Sequence, residues 1–449
     1  MQFTCIFKTR ARLRAIGPIS RGFIAGAAFF WSPLFFAQTA PAQESALDAL
    51  KSAAHASPND PGAAIAYGRA LRRAGHVNES TDELRRGANL FAGRTGAPAI
   101  TLHVELARTA IAKHEFGQAM VQCKVVQDLT GGAAEGHACA AEAHLLWRRA
   151  SEALDETKKS LAVEKSNLDA KIAEGNALAL QLQDAESEAA FHEAMTLAPT
   201  DARPHLGLAR LYVITAKKDQ ALAEMKKAVE LDPKDPDANY ELAKLLPTPV
   251  EAMPYIETAT RERPSFAEAL AYRAQLDLLV GKFPDAKSSA TLALKLDPQN
   301  PNMHVAMGRA LLAEGKIDDA ANEGKAALAI LGNLASAKLL VGDAYAKKGE
   351  IDLAVENYQD AWGYDHSDPT SLVNASVACH LAGRDTSAKA FGLKATQEFP
   401  TWGPGWVALG DARVGDQDFA GAKEAYGAAL KSQGPVDAAA VQKKIAALK

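Results

Sequence analysis

Residues 301–334 read PNMHVAMGRALLAEGKIDDAANEGKAALAILGNL, and small side chains from this stretch return along the chain at one fixed interval. Ala320 and Ala327 each belong to a series of alanines spaced 34 residues apart, and Gly308 belongs to a third series of small residues. The series are Ala286, Ala320, Ala354, Ala388 and Ala422; Ala293, Ala327, Ala361, Ala395 and Ala429; and Ala274, Gly308, Gly342, Ser376 and Gly410. A constant period of this length indicates a stack of similar supersecondary units.

Each unit predicts two helices joined by a short turn. Val305, Leu311 and Leu312 have the spacing of an apolar helix face, and Gly315 marks the turn that follows. The second helix carries its two alanines seven residues apart, which is two helical turns, so both face the same neighbour. Small residues at such positions let helix axes cross closely. The pattern therefore predicts an all-α fold.

The joints between units agree with this reading. The segment Asp297-Pro298-Gln299-Asn300-Pro301 has a counterpart in Asp232-Pro233-Lys234-Asp235-Pro236. The first proline of each segment ends a helix, because its ring blocks helix continuation. Asn300 is suited to cap the next helix, and Pro301 suits the first helical position, where no amide hydrogen is needed.

The pattern resembles the tetratricopeptide repeat family, whose unit is a 34-residue helix–turn–helix with small residues at the close crossing. One matching unit holds Leu208, Ala209, Tyr212, Ala221, Met225, Ala228 and Pro233, and another holds Val341, Gly342, Tyr345, Ala354, Tyr358 and Ala361. The resemblance implies a right-handed superhelical solenoid of tandem repeats. It also implies that the first helix of each unit lines a concave groove that binds segments of other proteins.

The repeat register divides the chain into six segments. These are a signal peptide at 1–42, a capping half-repeat at 43–60, an N-terminal array at 61–235 with an insertion at 95–99, a shortened unit at 236–266, five regular units at 267–436, and a capping helix at 437–449. We expect a bend at the insertion and another at the shortened unit. Both places break the uniform stacking of the helix pairs.

The first 42 residues have the composition of an export signal. They contain five basic residues and no acidic one, then an apolar run over 22–37, and end in Ala40-Pro41-Ala42. A basic head, an apolar middle and a small-x-small end are typical of a secretory signal peptide, and the run is short for a retained membrane anchor. We expect cleavage after Ala42, no membrane span in the mature chain, and a periplasmic or extracellular location.

Charge and motifs exclude several classes of function. Without the first 42 residues the chain has 45 basic and 54 acidic residues, which argues against a nucleic-acid partner. We find no phosphate loop, dinucleotide-binding glycine motif or nucleophile elbow, and we expect neither a cofactor nor catalysis. An enzyme with an unrecognised site is the remote alternative.

Two sets of side chains on the first helices are candidates for partner binding, because the resemblance places them in the groove. The fifth position of the units is apolar or aromatic, and the ninth is basic in several of them. The candidates are Ile65, Val104, Ile172, Leu206, Tyr240, Val305 and Leu339 at the fifth position, and Arg69, Arg108, Arg210, Lys244 and Arg309 at the ninth. Ordinary helix packing is the alternative for the apolar set, and solvated charge is the alternative for the basic set.

Such a stripe suits an extended or helical partner segment with apolar anchors and acidic groups. A scaffold in the assembly of envelope or secretion machinery is the role we expect from the resemblance. A scaffold in a polysaccharide export or synthesis system is the alternative, and self-association through a terminal unit stays open.

The histidines and cysteines are weaker candidates for a site. His103, His137, His205 and His304 share the fourth position of their units, and His144 lies two turns from His137. A zinc site uses such clusters, but the fourth position of the family packs inside its unit, so we expect partly buried, hydrogen-bonded histidines. The family geometry also directs Cys139 into the groove, away from Cys123, so we do not expect a disulfide between them.

Overall fold

The computed structural model describes residues 41–92 and 95–448, and within these ranges the chain is helical throughout, with one isolated bridge between Trp402 and Gln433. The prediction of an all-α fold of tandem helix pairs is confirmed. Contacts between helices divide the chain into an N-terminal unit that ends at Leu276 and a C-terminal unit that begins at Asp277.

Short turns join the helices into successive antiparallel pairs. In the N-terminal unit the helices are α1 (Pro41–Ala56), α2 (Pro61–Arg73), α3 (Val77–Leu90), α4 (Ala97–Ala112), α5 (Phe116–Thr130), α6 (Ala134–Leu146), α7 (Ala150–Val163), α8 (Leu168–Leu180), α9 (Asp184–Leu197), α10 (Ala202–Ile214), α11 (Lys218–Leu231), α12 (Pro236–Leu245) and α13 (Pro249–Glu262), followed by α14 (Ala267–Leu279), which runs across the boundary. In the C-terminal unit they are α15 (Phe283–Leu296), α16 (Pro301–Ala313), α17 (Ile317–Ile330), α18 (Ala335–Lys348), α19 (Ile351–Tyr364), α20 (Thr370–Leu381), α21 (Asp385–Glu398), α22 (Gly403–Gly415), α23 (Phe419–Ala429) and α24 (Ala438–Ala447).

The repeated small residues lie where helices cross. All five alanines of the first series are fully buried, and those of the second are at most 3% exposed. At Gly342 an added Cβ would fall 2.6 Å from the Tyr358 ring, so a larger side chain would separate the two helices of that repeat. The predicted close crossing is therefore confirmed, and its cause is the lack of side-chain volume between the backbones.

The turn inside the regular repeats has one conformation whatever its sequence. The residue at the fifteenth position has a positive φ in every described repeat except the shortened unit 236–266, and it is glycine in half of these ten repeats. These residues are Gly75, His114, Arg148, Leu182, Ala216, Gly281, Gly315, Gly349, Gly383 and Gln417. Side chains with a Cβ are strained in this region, so the packing of the two helices imposes the turn on the five residues that are not glycine.

Two places depart from the regular repeat. α4 begins at Ala97, within the predicted insertion at 95–99, and α12 has only 10 residues. Pro249 occupies the start of α13, where its missing amide costs nothing. The bends expected at these places remain predictions. The predicted signal peptide at 1–42 lies outside the described residues except for its last two positions, which begin α1.

A long-range contact joins the beginning and the end of the N-terminal unit. The guanidinium of Arg73 bonds the carboxylate of Asp232, 159 residues away, and Arg263 Nε donates to the carbonyl oxygen of Arg73 at 3.2 Å. Gly75 lies against Ser265, and a Cβ on Gly75 would overlap the Ser265 hydroxyl. We call these five residues the clasp. Through the clasp the N-terminal unit returns on itself.

The C-terminal helix α24 covers the last repeat. Val441 is 2% exposed and packs with Ala422 and Tyr426, and Ile445 and Leu448 lie against the same cluster. Val441, Ile445 and Leu448 have the spacing of one apolar helix face. The side chains at the end of the array are thereby removed from water, as the ends of repeat arrays require.

Candidate partner-binding surface

The structure places the apolar candidates at the edge of the core. Val305 and Leu339 are buried, whereas the other five are half-buried: Ile65, Val104, Ile172, Leu206 and Tyr240. Leu206 lies against the cluster around Leu242, and Ile172 lies against the cluster around Phe191. The half-buried members present part of their surface to solvent.

Two of the basic candidates meet at a buried carboxylate. Glu105, on α4, has a side chain that is only 1% exposed. Arg69 and Arg72 approach its two oxygens at 2.8 and 2.6 Å, and Arg108 lies 3.5 Å away. Burial acts to raise the pKa of Glu105, but Arg72 and Arg108 outweigh it and hold that pKa below its ordinary value. Arg69 is thus engaged within the chain, although half of its side chain is exposed.

Arg108 extends this cluster along the next two repeats. Its guanidinium bonds Glu142 at 3.0 and 2.8 Å and Asp169 at 2.8 Å, and Asp169 also accepts a bond of 2.6 Å from Arg203. Glu142, first among its neighbours, raises the pKa of Arg108 well above its ordinary value. We call this connected set the ion-pair ladder; its members are Arg69, Arg72, Glu105, Arg108, Glu142, Asp169 and Arg203. It binds first helices of successive repeats to one another.

Arg309, in the C-terminal unit, is also embedded among neighbours. It lines a small cleft of about 80 Å³ with Leu339, Asp365, Asp368 and Ser371. Burial lowers the pKa of Arg309, although Asp343 and Asp368 act in the opposite sense. Its side chain therefore belongs to the packing between repeats.

Arg210 and Lys244 are the basic candidates that remain accessible. Arg210 is exposed and forms no ion pair with any described residue. On α10 it shares one face with half-buried Leu206 and with Val213, which is 46% exposed. On α12, Lys244 lies 5.0 Å over the ring of Tyr240, whose pKa burial raises to about 12. We call these five residues the α10–α12 face, which combines two cations with three apolar side chains.

The histidines at the fourth position are hydrogen-bonded inside their own repeats, as expected. Each ring Nδ1 meets a side-chain oxygen 19 residues later, on the second helix of the same repeat. The pairs are His103 with Gln122 at 2.8 Å, and His137 with Glu156, His205 with Glu224 and His304 with Glu323, each at 2.7 Å. Within the described residues no group of three or more histidine, cysteine or acidic side chains could hold a metal ion.

The expectation for the cysteines was wrong. Cys123 on α5 and Cys139 on α6 form a disulfide, with their Cα atoms 5.4 Å apart. Both sulfurs lie in a cluster of alanines that includes Ala119 and Ala143. Because these neighbours are small, the two helices approach within the range that a disulfide needs. Cys139 therefore points toward the preceding repeat, and Cys379 is a buried free thiol.

Two segments of the chain match a known protein family. Family models of the tetratricopeptide repeat match residues 202–235 and residues 273–335. Anaphase-promoting complex subunit 7 of Arabidopsis thaliana is 28% identical over 193 residues, which are 41% of this chain and 34% of that protein. The match thus spans about a third of the length of the curated relative.

Solved structures similar to this chain include two that cover most of it. Yeast Tom70 aligns with 90% of this chain and 96% of its own, at 13% identity and a TM-score of 0.45. Cut9 in the APC/C hetero-tetramer Cut9–Hcn1 aligns with 90% of this chain and 86% of its own, at 15% identity and a TM-score of 0.44.

The matched segments agree with the helix pairs of the structure. Residues 202–235 span α10, α11 and the joint that follows them, and residues 273–335 contain the whole of α15, α16 and α17. Residues 202–235 coincide with one complete 34-residue unit, and residues 273–335 overlap two further units. The chain therefore contains tetratricopeptide repeats in these two segments.

Proposed function

We propose that this protein is a non-catalytic scaffold that binds a segment of a partner protein on the α10–α12 face. The observation that carries the proposal is the state of Arg210. It is exposed and unpaired beside exposed Val213, while Arg69 and Arg108 are engaged in the ion-pair ladder.

Charge and spacing define the partner segment. Arg210 favours a segment with carboxylates, because neutralising an unpaired cation at an interface stabilises the complex and speeds its formation. Lys244 adds positive charge nearby, although its ammonium lies 3.5 Å from Glu241. Leu206, Arg210 and Val213 follow one another at four and three residues, so they form one stripe on α10. Tyr240 adds an aromatic surface of the kind that is enriched where partners bind strongly. We expect apolar anchors flanked by acidic residues in the partner.

A peptide-display selection against the full chain tests this function. Selected peptides should be rich in acidic and apolar residues, and Arg210→Glu should weaken their binding by about tenfold or more, as expected when a charge pair becomes a repulsion. Lys158→Glu is the matched control, because Lys158 is 73% exposed and lies on the second helix α7. Peptides that bind both variants as tightly as the original chain would rule out the α10–α12 face.

We further propose that the scaffold acts outside the cytoplasm. The basic and apolar composition of residues 1–42 supports export, and the Cys123–Cys139 disulfide supports an oxidising compartment. No described helix has both the length and the apolar character needed to span a bilayer. Assembly of envelope or secretion machinery is the role that fits these features best.

Mass spectrometry of the protein from its native host tests export. The expected species begins at Gln43 and has one disulfide and one free thiol, because Cys5 is removed with the signal peptide. An intact chain in the cytoplasmic fraction, with all its thiols reduced, would contradict the proposal.

A further inference from the structure

A carboxylate and a tyrosine form the same pair in two repeats of the C-terminal unit. Tyr358 donates its hydroxyl to Asp343 Oδ1 at 2.8 Å, and Tyr426 donates to Asp411 Oδ1 at 2.5 Å. In both repeats the aspartate is at the ninth position of the first helix, and the tyrosine follows 15 residues later on the second helix. The repeat register thus builds one site twice.

The last repeat shows what this pair binds. Lys444, from the capping helix α24, places its Nζ 2.5 and 2.6 Å from the two oxygens of Asp411. The same ammonium lies 5.7 Å over the ring of Tyr426. A lysine brought by a separate helix therefore satisfies both the carboxylate and the aromatic face.

Among the described residues, no lysine forms an ion pair with Asp343 as Lys444 does with Asp411. The neutral amide of Asn374 donates to Oδ1 at 2.9 Å, which is the oxygen that Tyr358 also binds. Arg309 contributes positive charge from the preceding repeat, and Lys347 contributes a smaller amount from the same helix. Burial nevertheless prevails and raises the pKa of Asp343.

A cleft opens beside this carboxylate. It has a volume of about 280 Å³ and is lined by Asp343 and Asn374 and by apolar side chains that include Ile351, Val377 and Leu381. A volume of this size is far above what one water needs, so the cleft has room for a long side chain. Leu381 at its rim is 56% exposed. The cleft combines apolar walls with one half-buried acidic group.

We propose that this cleft binds a lysine side chain from a partner segment. The ammonium meets Asp343 as Lys444 meets Asp411, and the methylene stem lies on Ile351, Val377 and Leu381. A lysine stem buries apolar surface while its head keeps a charged partner, which matches the composition of the cleft. The inference rests on the proposed function, that the chain binds segments of other proteins. It adds a second subsite, which prefers basic side chains, whereas the α10–α12 face prefers acidic ones.

The test uses two peptide libraries with randomised flanks, one with lysine at the central position and one with methionine there. Both are passed over the immobilised full chain, over Asp343→Asn, and over the matched control Asp411→Asn. We expect the original chain to retain lysine peptides at least tenfold more tightly than their methionine versions. Asp343→Asn should remove that preference, and Asp411→Asn should keep it.

A second variant guards against loss of folding in Asp343→Asn. Val377→Lys puts an ammonium into the cleft from the chain itself, so it should exclude lysine peptides while the helical circular dichroism spectrum stays unchanged. Equal retention of lysine and methionine peptides by the original chain would overturn the inference. So would a lysine preference that persists in Asp343→Asn.

The acidic peptides of the earlier selection separate the two proposals. If they bind in an Arg210-dependent manner and lysine peptides show no preference, the cleft assignment fails and the proposed function stands. If neither class binds, both fail. If lysine peptides bind and Arg210→Glu has no effect on any peptide, the cleft assignment stands and the α10–α12 face is wrong.

Discussion

Replacing Glu105 by glutamine should loosen the first repeats, because one carboxylate there serves three arginines. The substitution keeps the shape of the side chain and removes its charge. Glu105 is 1% exposed and faces Arg72 at 2.6 Å and Arg69 at 2.8 Å. A hydrogen bond to a charged group contributes about 1.5–3 kcal/mol, and the half-exposed Arg69 belongs at the low end of that range because water screens it. The expected loss is about 3 kcal/mol.

Hydrogen exchange of the full chain measures this loss locally, which suits a repeat protein whose regions open separately. A loss of about 3 kcal/mol corresponds to roughly 100-fold faster exchange of the protected amides in α2 and α4. The control is Glu79→Gln, which removes an exposed glutamate paired with His76 and should change stability by less than about 0.5 kcal/mol. Equal exchange in the two variants would refute the view that the ion-pair ladder stabilises these repeats.

The same carboxylate predicts a dependence on pH with a definite sign. Burial opposes the ionised form of Glu105, but Arg72 and Arg108 lower its pKa below the ordinary value of 4.5. A carboxyl whose pKa is lower in the folded state stabilises the fold above its ordinary pKa, and this contribution disappears as the pH falls below it. In thermal unfolding, the difference between the original chain and Glu105→Gln should therefore be full at pH 7 and shrink below pH 4.5.

Three further predictions concern packing and turns. Phe191→Ala should cost about 3–5 kcal/mol, because the fully buried ring fills the space beside Gly207, and exchange in α8–α11 would report it. Leu182→Gly should stabilise by about 1 kcal/mol in thermal unfolding, since Leu182 is exposed with a φ of 59°. Gly75→Ala should destabilise more than Gly315→Ala, because both glycines have a positive φ but only the added methyl at Gly75 would collide with Ser265 of the clasp. Equal melting temperatures for the last two would contradict the clasp.

The fold could be predicted from sequence because the repeat reports the same physical constraint many times. Ala286, Ala320 and Ala354 occupy one crossing in three repeats, and a larger side chain would fail at each of them. The histidine pairs carried a comparable signal that the sequence analysis overlooked. His304 and Glu323 stand 19 residues apart, as do His205 and Glu224, and this spacing joins the two helices of one repeat.

The state of the candidate site could be predicted only in part. Arg108 and Glu142 occupy the same position in adjacent repeats, 34 residues apart, so their pairing could have been found from the register. Whether Arg210 forms an ion pair depends on side chains from several helices at once. No single spacing in the sequence predicts how those side chains are arranged. The disulfide escaped because the family pattern fixes where Cys139 lies along its helix, whereas the small alanines nearby decide how closely α5 approaches.

The clasp restricts how this chain can vary in length. A linear repeat array can gain or lose a unit at little cost, because each unit touches only its neighbours. Here Arg73 must meet Asp232 across 159 residues, and Arg263 must reach the carbonyl of Arg73 across 190. Deleting or duplicating any intervening repeat would move these partners apart by a full helix pair. The number of repeats between them is thus part of the structure, and the N-terminal unit should melt as one cooperative body.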